Sequence, residues 1–468
     1  MSTTPPDVEA YDVIVIGGGP AGHHAALHAA SLNQRAILVE KESSVGGACV
    51  HRGTIPSKTL RETALALSTF RTKTGGLMDL PQSEGMQVAS LMTRLEQVIK
   101  AHQRYMGMQL TRAGVERIHG RAKFLDANSI EVSDVRRNRR RLSAPCIVVA
   151  TGSRPRTPPE IPIDHQHLMD SDSILSLLYL PKTLTVLGSG VIACEYASIF
   201  AAIGTEVTII DKAERPLAFL DPELSDLFLA AFTATGSRFL GKATTTSVVH
   251  DGLSTVVTTL ATGEEIRSEK LLCALGRVAN LEELDIGKAG LTATNRGLLQ
   301  VDANGWTGVG GIYGAGDVIG PPSLASTSMD QGRRVVCHAC GLTPGVPPEM
   351  IPLGIYTIPE LSSVGLDERQ AKERHGGCLV GRAPFAELAR GQIAGCADGM
   401  LKLVADAQGK KLLGAQACGE GAAELVSIAQ MAMLNGNDID IFVANTLNFP
   451  TLGEGYRVAA LDIIHQRG

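Results

Sequence analysis

Residues 11–41 read YDVIVIGGGPAGHHAALHAASLNQRAILVEK, and residues 182–212 read KTLTVLGSGVIACEYASIFAAIGTEVTIIDK. The two stretches align without a gap, the second lying 171 residues after the first. Each contains an apolar strand, a glycine-rich turn, a helix of small residues, a second apolar strand and a final acid. This order predicts a βαβ unit with parallel strands, so the chain contains the same unit twice.

The spacing of small residues in this unit is typical of dinucleotide binding. The first glycine permits a tight turn, the second lets the backbone approach a pyrophosphate, and a third small residue packs the helix against the strand. Free N–H groups at the helix N-terminus hold the phosphates, and the final acid accepts hydrogen bonds from an adenosine ribose. These positions are Gly17, Gly19, Gly22 and Glu40 in the first copy and Gly188, Gly190, Ala193 and Asp211 in the second. We therefore expect two bound dinucleotides.

The composition indicates a globular protein that acts on small molecules. Of the 468 residues, 44% are hydrophobic and 19% charged, and the formal net charge of −5 gives no general attraction for nucleic acid or anionic membranes. No apolar run approaches the ~20 residues of a membrane helix, and the N-terminus lacks the regions of a signal peptide. The nine cysteines are scattered rather than paired as in a secreted framework. We expect a cytoplasmic protein.

Two further motifs extend the pattern over the rest of the chain. Ala150-Thr151-Gly152-Ser153 and Tyr313-Gly314-Ala315-Gly316-Asp317 resemble the second and third fingerprints of two-dinucleotide flavoproteins. Over essentially its whole length the sequence resembles the pyridine-nucleotide–disulfide oxidoreductase family. The resemblance implies an α/β fold with two Rossmann-like dinucleotide-binding domains, for FAD and NAD(P), and a C-terminal α+β dimerisation domain. The implied segments are 1–155 (FAD-binding, first part), 156–278 (NAD(P)-binding), 279–346 (FAD-binding and central, second part) and 347–468 (interface).

The segment that carries the redox thiols in this family is altered here. Disulfide-reducing members place a second cysteine five positions after the first, whereas Cys49 is followed by Thr54. They also place a histidine directly before Pro-Thr, a position that holds Phe449, which cannot carry a proton. A single thiol cannot form the internal disulfide, so we exclude disulfide reduction. Cys49 is then either a reactive thiolate near the flavin or a small packed residue, and we favour the packed residue.

The flavin and nicotinamide positions of the family are kept. Lys58 and Glu195 match its ion pair beside the flavin ring, and Val191 matches the small residue over the nicotinamide pocket. EYASIF at 195–200 and GIYTIPE at 354–360 further resemble the soluble, FAD-dependent pyridine nucleotide transhydrogenases. This resemblance implies ping-pong hydride transfer between NADPH/NADP⁺ and NADH/NAD⁺ through FAD, in a homodimer or a larger homo-oligomer.

The resemblance and the motifs together give a set of expected site residues, with no metal ligand among them. The catalytic candidates are Lys58, Glu195 and Cys49. The residues expected to bind FAD, NAD(H) or NADP(H) are Gly17, Gly19, Pro20, Ala21, Gly22, Glu40, Lys41, Gly46, Gly47, Thr54, Lys58, Ala122, Ala150, Thr151, Gly152, Gly188, Gly190, Val191, Ile192, Glu195, Asp211, Lys212, Gly276, Gly316, Asp317 and Ala325.

Asp211 conflicts with one part of this interpretation. An acid at this position favours the 2′-hydroxyl of NAD(H) and repels the 2′-phosphate of NADP(H). Lys212 and Arg215 are close enough in sequence to pair with that phosphate, so we expect both nucleotides to bind, NAD(H) more tightly.

Two alternative functions stay open. One is an NAD(P)H:quinone reductase or diaphorase on the same scaffold, and the other is a flavoprotein kept as a non-enzymatic assembly subunit.

Overall fold

The computed structural model describes residues 8–74, 88–345 and 348–467, which contain 24 strands and 12 α-helices. The strands are β1 (Val8–Ala10), β2 (Val13–Ile16), β3 (Ala36–Glu40), β4 (Glu116–His119), β5 (Arg121–Phe124), β6 (Ser129–Ser133), β7 (Arg139–Ser143), β8 (Cys146–Val149), β9 (Ser153–Pro155), β10 (Leu168–Asp170), β11 (Thr183–Leu187), β12 (Glu206–Ile210), β13 (Arg238–Leu240), β14 (Thr245–His250), β15 (Val256–Leu260), β16 (Glu265–Ser268), β17 (Lys270–Cys273), β18 (Arg277–Ala279), β19 (Ile312–Gly314), β20 (Leu353–Ile355), β21 (Leu361–Gly365), β22 (Cys378–Pro384), β23 (Met400–Asp406) and β24 (Leu412–Cys418). The helices are α1 (Pro20–Ser31), α2 (Gly47–His51), α3 (Thr54–Thr74), α4 (Val88–Arg112), α5 (Val191–Ala202), α6 (Pro222–Ala234), α7 (Ala325–Ala339), α8 (Glu368–His375), α9 (Ala389–Ala394), α10 (Ala422–Leu434), α11 (Ile441–Ala444) and α12 (Gly455–Gln466).

The chain folds into two compact units, each made from three stretches of sequence. The first unit comprises the described parts of Met1–Thr59, Ala89–Arg156 and Gly276–Pro347. The second comprises those of Leu60–Val88, Thr157–Leu275 and Pro348–Gly468. The division into FAD, NAD(P), central and interface segments stays a prediction, and its boundary at 346/347 lies outside the described residues.

The first unit is built on a parallel sheet with the strand order β19–β8–β2–β3–β4. Along β2 the side chains alternate between two cores, as the period of a strand requires. Val13 and Val15 pack with residues of α1 and α7. Ile14 and Ile16 pack with residues of the second sheet, which has the order β1–β7–β6–β5. Burial on both faces explains why β2 is an uninterrupted apolar run.

Helices α1 and α7 pack closely over the parallel sheet of this unit. A Cβ atom on Gly332 of α7 would lie 2.0 Å from the carbonyl oxygen of Ala21 in α1, so only glycine permits this approach. The carboxyl ends of β19, β8, β2 and β3 meet at one edge because these strands are parallel. In such sheets ligands bind at this edge, which here is where α1 begins.

The second unit repeats the arrangement. Its parallel sheet has the order β10–β17–β11–β12–β13, and β11–α5–β12 corresponds to β2–α1–β3. An antiparallel sheet, β14–β15–β16, shares a core with it, in which Leu187 and Ile210 pack with Val248 and Val256. The repeated βαβ unit predicted from the sequence is therefore confirmed.

The C-terminal part of the second unit has an antiparallel sheet in the order β20–β21–β24–β23–β22, which packs against α10 and α12. At the centre of its core lies Tyr456, which is fully buried. Its hydroxyl donates to the carbonyl oxygen of Leu425 at 2.6 Å and accepts from the N–H of Ala429 at 3.2 Å. This α+β segment after two Rossmann-like sheets confirms the predicted fold class.

Two long helices, α3 and α4, lie between the two repeats. Helical periodicity of the sequence over residues 58–70 and 86–110 predicts a helix in each of these places, although residues 86 and 87 lie outside the described residues. Neither helix is apolar along its length, and no other helix in the described ranges has the length and hydropathy needed to cross a membrane.

Candidate functional site

The first glycine of each repeat is required by the backbone. Gly17 has φ +105° and Gly188 has φ +102°, values that side chains with a Cβ rarely adopt. A Cβ atom would also lie 2.3 Å from the carbonyl oxygen of Ala150 in the first unit and 2.6 Å from that of Ala274 in the second. The tight turn inferred from the sequence is therefore present in both copies.

Neither the backbone conformation nor the packing of the protein requires a glycine at the second position of each repeat. Gly19 has φ −71° and Gly190 has φ −77°, which any residue can adopt. A Cβ on Gly190 would meet no atom of the described residues within 4 Å, and one on Gly19 would touch only Gly47 Cα at 3.8 Å. The open space lies at the N-termini of α1 and α5, where backbone N–H groups and the helix dipole attract phosphate. Both cradles therefore fit a dinucleotide pyrophosphate.

The acid that ends the second strand has the same local environment in both repeats. Glu40 accepts the N–H of Glu42 at 2.9 Å, and Asp211 accepts the N–H of Ala213 at 2.6 Å. The other carboxylate oxygen of Glu40 accepts the N–H of Gly18 at 2.7 Å. Each acid is thus fixed at the carboxyl end of its strand, beside the turn at which a dinucleotide would bind.

Asp317 is held at the same edge of the first sheet by Ser153 and Arg277, which are not among the predicted site residues. The hydroxyl of Ser153 donates to Oδ2 of Asp317 at 2.6 Å, and Nε of Arg277 donates to the hydroxyl of Ser153 at 2.8 Å. The N–H of Gly316 donates to Oε1 of Gln331 at 2.8 Å. Ser153 is the last residue of the motif Ala150-Thr151-Gly152-Ser153, so the sequence contains a signal for it, whereas no local pattern identifies Gln331.

Cys49, in the short helix α2, lies beside Thr54 at the start of α3. Burial raises the pKa of the Cys49 thiol, and the hydrogen bond with Thr54 and the charge of Lys58 only partly oppose this. The carboxylate of Asp317 adds to the increase. Cys49 is therefore a neutral thiol at pH 7, which agrees with the packed residue favoured from the sequence.

The members of the ion pair implied by the family lie in different units. Lys58 is the fifth residue of α3, lies in the first unit and is half-buried. Glu195 is in α5 of the second unit, where its side chain is almost fully buried and Oε1 accepts the N–H of Tyr356 at 2.9 Å. The pairing of the two residues stays a prediction.

The loop after β12 carries the cations expected to favour a 2′-phosphate. Lys212 is exposed, whereas Nη1 of Arg215 lies 2.7 Å from both carboxylate oxygens of Asp226. This ion pair is exposed and therefore weak, so its rearrangement toward a bound phosphate would cost little. The N–H of Leu217 donates to the carbonyl oxygen of Ser189 at 2.9 Å, which ties the loop to the glycine turn.

The remaining predicted residues fall into three places. At the glycine turn of the first unit, Gly47 lies so near Gly19 that a Cβ would be 2.7 Å from its Cα atom, and the N–H of Gly46 donates to the carbonyl oxygen of Gly18. At the sheet edge or in the first turn of a helix lie Pro20, Ala21, Gly22, Lys41, Ala150, Thr151, Gly152, Val191, Ile192, Gly276 and Ala325. Ala122 differs, because its side chain is buried in the core of the second sheet. A ligand could reach only its backbone.

Comparison with known proteins identifies this architecture. Residues 11–332 match the family model described as pyridine nucleotide-disulphide oxidoreductase, and residues 351–460 match the dimerisation domain of that family. Among solved structures, LpdA from Mycobacterium tuberculosis is 26% identical with a TM-score of 0.89, over 96% of this chain and 99% of that one. The flavoprotein disulfide reductase RclA from Escherichia coli is 25% identical with a TM-score of 0.87, over 96% and 99%.

The curated relatives point to one branch of the family. The soluble pyridine nucleotide transhydrogenase of Mycobacterium tuberculosis is 40% identical over 459 residues, 97% of either chain. That of Hahella chejuensis is 40% identical over 461 residues, 97% of this chain and 98% of the relative. The resemblance drawn from the motifs is thereby confirmed. The chain belongs to the pyridine nucleotide-disulphide oxidoreductase family, as an oxidoreductase that groups with the soluble pyridine nucleotide transhydrogenases.

Proposed function

We propose that this protein transfers hydride between NADPH/NADP⁺ and NADH/NAD⁺ through a bound FAD, in a ping-pong reaction. The first unit would bind FAD and the second unit would bind both nicotinamide nucleotides in turn at one site. The proposal also includes a homodimer formed through the C-terminal segment, which matches the dimerisation domain of the family.

The observation that carries the proposal is the pair of open cradles at Gly19 and Gly190. Neither glycine is required by backbone conformation or packing, which leaves close approach of a ligand as the reason for its presence. Each cradle lies beside a fixed acid, Glu40 or Asp211, that can accept hydrogen bonds from ribose hydroxyls. Two such sites suit a flavin dinucleotide and a nicotinamide dinucleotide.

The roles of the chain's own residues follow from their chemistry. Bound FAD supplies a ring that takes up a hydride from one nicotinamide and returns it to another. Lys58 would place a cation beside that ring, and Glu195 would be its buried counter-ion, because a buried lysine needs an opposite charge. Asp317, held by Ser153, would fix the ribityl chain. Val191, in the first turn of α5, would border the nicotinamide.

The thiol chemistry of disulfide reductases has no equivalent in this proposal. Cys49 has a threonine hydroxyl rather than a second thiol beside it, and burial keeps its own thiol neutral. Phe449, at the position of the catalytic histidine, has no ionisable group. Hydride transfer between nicotinamide and flavin requires neither group.

Asp211 favours a second candidate, an NADH-specific quinone reductase on the same scaffold. Its carboxylate lies at the end of β12, where it repels a 2′-phosphate. Such an enzyme would have no use for NADP(H), whereas a transhydrogenase must accept it. The exposed Lys212 and the weakly paired Arg215 support the transhydrogenase, since both can turn toward the phosphate.

The test is to mix the purified holoenzyme with NADPH and thio-NAD⁺, without quinone or disulfide, and to follow the thionicotinamide product. We expect turnover at about ten per second or more, the ordinary range for enzymes. Absence of turnover, with the flavin still reduced by NADH, would contradict transhydrogenation and support the quinone reductase. A flavin that excess NADH does not reduce would contradict both.

A further inference from the structure

The segment that follows β20, from Tyr356 to Glu360, is bound to one face of helix α5 within the second unit. The N–H of Tyr356 donates to Oε1 of Glu195 at 2.9 Å, and the N–H of Ile358 donates to Oγ of Ser198 at 3.1 Å. Glu195 and Ser198 are three residues apart, so they lie on the same side of the helix. Both acceptors are almost fully buried, with exposed fractions of 4% and 3%, and the donors Tyr356 and Ile358 are half-buried.

The other side of this segment is held by a buried cation. Nε of Arg61, a residue 4% exposed in α3, donates to the carbonyl oxygen of Thr357 at 3.1 Å. Its Nη2 lies 3.3 Å from Oε2 of Glu360, and Oε1 of Glu360 accepts the N–H of Ala423 in the first turn of α10. The segment is therefore fixed to α5, α3 and α10. Each of these hydrogen bonds joins a side chain to a backbone N–H or carbonyl group.

The hydroxyl of Ser198 both donates and accepts a hydrogen bond. It donates to the carbonyl oxygen of Glu195 at 3.0 Å and accepts the N–H of Ile358 at 3.1 Å. Replacement by alanine would leave the N–H of the half-buried Ile358 without this acceptor, an unfavourable state that the segment can relieve by moving away from α5. Such a movement would carry the N–H of Tyr356 away from Glu195.

We propose that Ser198 is a positioning residue for Glu195. By holding Ile358 it keeps the N–H of Tyr356 directed at Oε1, and this fixed donor sets the orientation of the Glu195 carboxylate during hydride transfer. A glutamate has several side-chain torsions, so the hydrogen bond from the N–H of Tyr356 narrows the range of orientations open to the Glu195 carboxylate. The inference rests on the role proposed for Glu195 above, and it adds Ser198 and the N–H of Tyr356 to the residues on which that role depends.

The test compares Ser198→Ala with the wild-type holoenzyme by two measurements. The rate of amide hydrogen exchange in the peptide spanning 353–361 shows how firmly the segment is held against α5. We expect this rate to be about ten-fold higher in the variant. The limiting rate of flavin reduction by NADH, measured by stopped flow, depends on the orientation of the Glu195 carboxylate under this proposal. We expect this rate to fall about three- to ten-fold, with the apparent Kd for NADH nearly unchanged. Ser198→Thr keeps the hydroxyl and should restore both values.

Thr205→Val is the matched control, because it removes another buried hydroxyl of this unit, one that donates to the carbonyl oxygen of Pro181. It should change neither measurement. If Ser198→Ala does not fold, Ser198→Cys, a weaker acceptor of similar size, should shift both values in the same direction. Unchanged flavin reduction in a variant with faster exchange would overturn the inference, as would unchanged exchange.

Glu195→Gln separates this inference from the proposed function. We expect it to slow flavin reduction more than Ser198→Ala does, because it removes the charge itself. If Glu195→Gln reduces flavin at the wild-type rate, the proposed role of Glu195 is wrong and the inference fails with it. If Glu195→Gln is slow but Ser198→Ala is not, only the positioning role of Ser198 is wrong.

Discussion

The thiol of Cys49 has the environment of a structural residue rather than a nucleophile. Burial raises its pKa, so it is protonated at neutral pH and reacts slowly. We predict that the Cys49→Ser holoenzyme retains NADH-driven flavin reduction within about three-fold of the wild type, since no thiolate takes part. The measurement is stopped-flow flavin absorbance. A hundred-fold loss with FAD still bound would assign the thiol a catalytic role.

Asp211 is the residue that we expect to set the preference between the two nicotinamide nucleotides. A serine at this position removes the charge but keeps an oxygen that can accept the N–H of Ala213, which Asp211 now binds at 2.6 Å. We predict that Asp211→Ser lowers the KM for NADPH by about ten-fold, or about 1.4 kcal/mol, and raises that for NADH. Steady-state kinetics with each nucleotide measure the change. Equal changes in both KM values would mean that Asp211 does not contact the 2′ position.

The N-termini of α1 and α5 offer a selective test of the two cradles. Because a Cβ on Gly19 or Gly190 meets no close protein atom, an alanine there should leave folding intact and obstruct only the ligand. We predict that Gly190→Ala weakens NADH binding about ten-fold or more without loss of FAD, and that Gly19→Ala lowers FAD content instead. Gly22→Ala is the contrasting variant, since its Cβ would lie 1.8 Å from the carbonyl oxygen of Gly17 and must disturb the fold.

Flavin content after purification and NADH titration of the bound flavin distinguish these outcomes. Loss of both ligands in either single variant would show that the cradles are not independent. Unchanged affinity in both variants would show that neither turn lies against a pyrophosphate.

A buried lysine joins several elements of the second unit. Lys402 of β23 is 2% exposed, and its Nζ lies 2.9 Å from Asp221, 2.9 Å from Glu223 and 3.2 Å from Glu368. Asp221 also caps α6 by accepting the N–H of Glu223 at 3.0 Å. Removal of this cation would leave the buried carboxylate of Asp221 without the ion pair that it makes here, whereas Glu223 would keep its pair with Arg382. We predict that Lys402→Met destabilises the unit by about 3–5 kcal/mol at pH 7.

The pKa values of the carboxylates around Lys402 determine how the destabilisation by Lys402→Met depends on pH. Burial alone would raise the pKa of Glu223, but hydrogen bonds from Arg382 and Lys402 outweigh it and the pKa is lowered. Lys372 and Lys402 likewise lower the pKa of Glu368. The stability contributed by such groups is present above the unfolded pKa of 4.5 and lost as the pH falls through the folded value.

The difference in the free energy of unfolding between wild type and Lys402→Met, measured with denaturant, should therefore be constant from pH 7 to about pH 5 and shrink as the pH falls below 4.5. Lys410→Met, which breaks an exposed pair with Asp440, is the control and should cost less than about 1 kcal/mol. A Lys402→Met protein as stable as the wild type at pH 7 would refute the prediction.

The sequence predicts the features of this fold that are local and misses those that depend on distant partners. Gly17 and Glu40 could be identified because the turn, the helix and the strand end lie within one short unit whose spacing repeats at Gly188 and Asp211. The hydrogen bond from Tyr356 to Glu195 spans 161 positions and uses a backbone N–H, which every residue except proline has. No pattern of side chains can reveal such a donor, so its discovery required the fold.

At the scale of the whole molecule, helix α10 presents an apolar face that a single chain does not cover. Ile428, Met431 and Leu434, spaced by three residues, are 39%, 57% and 59% exposed in a segment that matches the dimerisation domain of the family.

A charge in the middle of this face should prevent its burial, because a desolvated cation without a partner is strongly unfavourable. We predict that Met431→Arg elutes at the 49.3 kDa mass of one chain in light-scattering chromatography, whereas the wild type has about twice that mass. Leu178→Arg, at a leucine that is 93% exposed outside the matched segment, should keep the wild-type mass. If Met431→Arg also keeps it, the dimer forms through another surface.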